Sequence, residues 1–158
     1  MYQATVPVFR HYLSRIGGMV EAAGREALDA RIADAFPASQ QFATAAGFAM
    51  RVACPLAGRA VPDLPDALGP RLAVARALLG AMKPAEFDGA EARIIRHRAG
   101  FADLEQSGAE FLYLFGLPNF FFHLTMGYGA LRAAGVPLGK ADFDGFHRYP
   151  DGFSFSDG

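Results

Sequence analysis

From Phe111 to Leu131 the chain carries no Asp, Glu, Lys or Arg. A run of that length either spans a bilayer or forms a helix enclosed by other helices. This run contains Pro118, Asn119, His123, Thr125 and three glycines, and the chain has no second segment like it. A central helix buried by its neighbours is therefore expected, and no membrane span. Its start is marked by Ser107-Gly108-Ala109-Glu110, a capping box in which serine and glutamate each satisfy a free amide. The helix is expected to run to about Ala134, with Gly135 as its terminator, Pro137 beyond, and a bend at Pro118.

A buried helix needs partners, and the earlier sequence supplies three. The first is expected to start near Thr5 as N-cap, with an apolar face of Phe9, Leu13, Ile16, Val20, Ala23 and Ala27. Gly17-Gly18 weakens it by about 1 kcal/mol per glycine, so packing offsets this or the backbone bends. The second is expected from about Ala38 to Leu56, fraying at Pro55 and stopping at Gly58. Val61 to Pro65 is an extended connector. The third is expected from near Asp66 to Lys83-Pro84. Residues 91–106 break the helical pattern and suggest a two-stranded hairpin. The fold expected is all-α, an antiparallel four-helix bundle with a short β-hairpin between helices 3 and 4. Residues 1–145 form the domain, and 146–158 a tail that packs on it or hangs free.

Composition narrows the partners. Of 158 residues 52% are hydrophobic, enough for one sizeable core. Net charge is −1, with fifteen basic and sixteen acidic residues interspersed, so no basic face invites nucleic acid. The cluster Arg93, Arg96, His97 and Arg98 is read as a solvated hairpin. The single cysteine, Cys54, is read as a small buried residue. No export signal is visible, so a cytoplasmic setting is expected.

Few residues can carry chemistry. His123 stands among Phe120, Phe121 and Phe122, with Asn119 one helical turn earlier. Burial there lowers an imidazole's pKa. A metal ligand, a general base and a hydrogen-bonded core residue all fit. His11, His97 and His147 show no ligand-like partner at three or four residues and are read as surface groups. Tyr12, Tyr113 and Tyr128 either line an inter-helix cavity or sit at the core edge. No phosphate loop, dinucleotide fingerprint or serine nucleophile elbow occurs.

Three segments together resemble a known family: Val6-Pro7-Val8-Phe9 with Tyr12-Leu13; Phe36-Pro37 leading to Gln41 and Leu56-Ala57-Gly58; and LPNFFFH (117–123) with GVPLGKADF (135–143). They resemble a bacterial family of unknown function in the DinB/YfiT-like helical-bundle superfamily, up to about Gly145. The resemblance implies a helical bundle, often a homodimer. Relatives hold a divalent metal with a second-helix histidine and a last-helix pair, and some are thiol-dependent transferases or isomerases. Here Asn119-x-x-x-His123 takes the form of that pair, and an amide is a poor ligand. The second-helix ligand falls between Thr44 and Arg51, where no histidine stands. Related sequences carry an aspartate near Gly47 and a lysine near Met50, and both are absent.

Two functions are therefore expected to compete. One is a non-catalytic or small-ligand-binding bundle with a degenerate metal site, no metal and no cofactor, holding a small apolar ligand. The other is a divergent metal- or thiol-dependent transferase or hydrolase using His123. The pocket candidates are His123, Asn119, Tyr12 and Tyr128.

Overall fold

In the computed structural model, which describes residues 1–150, 152 and 153, the first helix begins before Thr5. Helix α1 spans Tyr2–Ala27. Thr5 lies inside it, its hydroxyl donating to the Met1 carbonyl at 3.0 Å, so it bonds back along the helix instead of capping it. The backbone does not leave the helix at Gly17-Gly18 either. It leaves at Gly24, with φ 67° and ψ 172°. Ile16 and Met19, which flank the earlier pair, are both buried. A Cβ at Gly17 meets nothing within 4 Å. Gly17→Ala is therefore expected to raise stability by about 0.5–1 kcal/mol, read as a higher denaturation midpoint in urea.

Helix α2 spans Ala38–Leu56 and α3 spans Leu68–Gly80. Helix α3 stops short of Lys83-Pro84, whose proline instead opens a 3-10 turn, Pro84–Phe87. Strands β1 (Ile94–Ala99) and β2 (Ala102–Ser107) form an antiparallel hairpin in which Ile94 faces Ser107 and Ala99 faces Ala102. Its basic residues are answered across the strands, Arg96 by Glu105 at 2.7 Å and Arg98 by Asp103 at 3.7 Å. The last long helix follows without a break: α4 (Gly108–Glu110), a π-helical turn (Phe111–Gly116), then α5 (Leu117–Ala133). The expected capping box is present, Ser107 Oγ accepting from the Glu110 amide at 3.3 Å and Glu110 Oε2 from the Ser107 amide at 3.0 Å. Pro118 has no amide to offer the preceding turn, and that turn is the widened one. A short α6, Lys140–Asp144, closes with Gly145 at φ 78°.

The chain is thus mostly helical with one small hairpin. Helix α2 is the central element, packed on α1, α3 and α5. Its alanines 45, 46, 49 and 53 are all fully buried and let neighbours approach closely. Phe9 of α1 and Phe120 of α5 meet in the core with ring centres 4.8 Å apart. Cys54 is buried, and burial pushes its thiol pKa up, away from the reactive thiolate. Among the described residues no helix is long and apolar enough to cross a membrane. Of the tail, Phe146 stacks on His11 at 4.9 Å; residues 151 and 154–158 lie outside the described residues.

Candidate functional site

Gln41 is one of two polar side chains buried among the described residues, the other being Thr5. It sits one turn into α2, directly before the buried Phe42. Its carboxamide meets His123 of α5: Oε1 lies 2.7 Å from His123 Nδ1. The amide nitrogen of Gln41 faces the Phe36 carbonyl at a long 3.5 Å. That carbonyl disfavours the flipped amide, which would set two oxygens together. Oxygen therefore faces the imidazole, and Nδ1 carries the proton. Nε2 is left as a lone pair.

Among the described residues Nε2 has no protein partner, yet it is not sealed. The buried side-chain nitrogen and oxygen atoms lacking a partner among the described residues reduce to His97 Nδ1. His123 instead lines a recess of about 280 Å³ with Asp34, Ala35, Phe36, Gln41 and Phe122. Phe48 of α2 stacks on the imidazole at 5.4 Å, and Phe122 meets it edge-on at 5.2 Å. Burial among these groups lowers the His123 pKa from its ordinary value. The ring is neutral at pH 7, so the recess ends in a hydrogen-bond acceptor.

A lowered folded-state pKa fixes the sign of a pH effect. The unfolded chain takes the His123 proton first, so stability is complete above about pH 6.5 and is lost as pH falls below it. Melting temperature is expected to drop more between pH 7.5 and 5.5 in the native chain than in His123→Gln. Equal drops in both would contradict a buried neutral ring.

The other sequence candidates lie elsewhere. Asn119 turns onto its own helix, donating to the Phe115 carbonyl at 2.8 Å. Tyr12 packs on Phe121 at 4.8 Å and Phe143 at 5.9 Å. Tyr128 packs on the same Phe143 at 5.4 Å, and its hydroxyl accepts from Arg132 at 3.1 Å. The two tyrosines thus share α6 as a neighbour and do not line the recess. Burial, then the Asp144 carboxylate, raises the Tyr12 pKa. Tyr113 is half exposed.

The remaining histidines are not free surface groups. His11 Nε2 contacts the Asp144 carbonyl at 2.7 Å, and His147 pairs with the Asp144 carboxylate three residues earlier. The Phe146 amide is foremost in holding the Asp144 carboxyl down at about 2. His97 packs between Phe111 and Phe115 at 4.8 and 4.3 Å and bonds Gln106.

A divalent cation finds a poor donor set at His123. The α2 residues facing it are an aromatic ring and an amide already engaged with Nδ1, and Asn119 is turned away. One imidazole nitrogen and the nearby residue Asp34 are what the recess offers, against the three or four ligands a zinc ion takes. Among the described residues no three His, Cys, Asp or Glu side chains gather around one point.

In the sequence Gln41 figures as part of the family resemblance and not as a site residue, and Phe48 and Asp34 carry no site signal. Gln41 did leave a trace: it stands four residues before Ala45, on the apolar stripe of α2, where an amide needs a buried partner.

The helices and hairpin place the chain among DinB-like proteins. The crystal structure of a DinB family member protein from Shewanella denitrificans is similar to it with a TM-score of 0.83 and 28% identity, over 94% of this chain and 93% of that one. Residues 1–144 match the model described as a domain of unknown function (DUF1993), and the chain belongs to that family. No curated protein matched it.

Proposed function

We propose that this DUF1993 chain is a small-ligand-binding protein with a degenerate metal centre, and that the recess at His123 is its binding site. The observation that carries this reading is the Gln41–His123 contact, which leaves a fixed, neutral acceptor in a largely apolar recess. Such sites take ligands with an apolar body and one donor group. The packing of α1, α2, α3 and α5 supports an antiparallel four-helix bundle as the frame. The superfamily likeness supports pairing of two copies in a bacterial cytoplasm, checked by sedimentation at twice the 16.9 kDa chain mass.

Phenol, titrated at millimolar concentration and followed by amide NMR shifts, tests the binding site. Shifts are expected at Phe36, Gln41, Phe122 and His123, and are expected to vanish in His123→Leu. Shifts centred elsewhere, or none, would reject the recess.

The same lone pair favours a second reading, in which His123 is the base for a bound thiol or water. It requires turnover of a thiol-dependent model substrate that His123→Gln abolishes; the binding-protein reading requires none.

A further inference from the structure

The polar groups that line the recess are unbalanced in one direction. Asp34, an exposed residue at the recess, brings a carboxylate acceptor with no ion pair among the described residues. His123 Nε2 is an acceptor once Nδ1 donates to Gln41. The Gln41 oxygen is taken by that bond, and its amide nitrogen faces the Phe36 carbonyl. Among the described residues no lysine or arginine lines the recess. Phe36 and Phe122 also line it, and the two residues are 50% and 57% exposed. Aromatic faces carry negative potential and attract cations.

We propose that the recess selects a free primary ammonium ion carrying a small apolar or aryl body. This rests on the recess being the binding site. An ammonium group brings three donors and a positive charge. Asp34 and His123 Nε2 take two of those donors, and the two phenyl rings take the charge and the body. A carboxylate or phosphate ester meets the opposite: a negative neighbour, a lone pair and no donor. A neutral alcohol satisfies His123 and gains nothing from Asp34. The volume of about 280 Å³ suits a ligand the size of an arylalkylamine. Charge thus sets selectivity, while the apolar walls supply most of the contact.

Benzylamine, benzyl alcohol and benzoate share one body and differ in the group that reaches the floor. Each is titrated into the full chain at pH 7.5 and followed by amide shifts of Phe36 and Phe122. Benzylamine is expected to bind about fivefold or more tighter than benzyl alcohol, with benzoate weakest. Asp34→Asn is expected to weaken benzylamine several-fold more than benzyl alcohol, with an unchanged melting temperature. Equal affinities, a preference for benzoate, or indifference of benzylamine to Asp34→Asn would overturn the ammonium assignment and leave the recess standing. Absence of shifts with all three would overturn the recess and this inference with it.

Discussion

Gly108→Ala is expected to lower stability by about 3 kcal/mol or more, seen as a shift of the urea midpoint with little change of slope. A Cβ there would overlap the Ala90 carbonyl oxygen outright and press Leu56 Cδ2 at 3.0 Å. A backbone carbonyl cannot rotate away as a side chain can. The neighbouring amide of Ala109 donates to the Glu91 carbonyl at 3.0 Å, so the first turn of α4 is fastened to this segment. Moving Ala90 also disturbs the root of β1. Replacing Gly100, at the exposed hairpin turn, meets no neighbouring atom, and its effect is limited to the strain of φ 59°. A loss at Gly108 no larger than at Gly100 would show that the close approach is not what holds this junction.

The second large effect is expected at Gly127, which lies one helical turn beyond His123 on α5. An alanine Cβ would come within 2.5 Å of the Phe42 ring, which is fully buried. The ring has nowhere to move, so α5 and α2 must separate, at about 2–3 kcal/mol. Phe42 follows Gln41 directly in the chain. The same separation lengthens the Gln41–His123 hydrogen bond. Gly127→Ala is therefore expected to broaden or shift the His123 ring signals as well as lower the melting temperature. Gly127→Ala compensated by Phe42→Leu tests the mechanism: partial recovery of stability is expected, and a further loss equal to that of Phe42→Leu alone would argue against a steric origin.

How much of this was legible depends on the range of each interaction. Helix α2 and the capping box at Ser107 were readable because their signals lie within four residues of one another. The hairpin was readable for the same reason. Gly24 was not preferred over Gly17-Gly18 because all are glycine and no local signal separates them; the residues flanking Gly17-Gly18, Ile16 and Met19, are buried. Thr5 was misplaced because a threonine hydroxyl serves a cap and a back-bond equally well. The site was legible by half. His123 announced itself as a lone imidazole among phenylalanines. Its partner Gln41 is 82 residues away, and no spacing rule links them. The contact of His11 with Asp144 spans 133 residues and was equally hidden.

The π turn at Phe111–Gly116 carries one consequence for the phase of the last long helix. A wide turn holds one residue more than a regular turn. Each residue advances a helix by about 100°. Deleting one residue between 111 and 116 is thus compatible with a continuous helix, but it swings everything upstream by about that angle relative to everything downstream. Ser107 and the hairpin lie on one side of this slip joint and His123 on the other. The extra residue sets the phase in which Gly108 meets Ala90 while the imidazole faces Gln41.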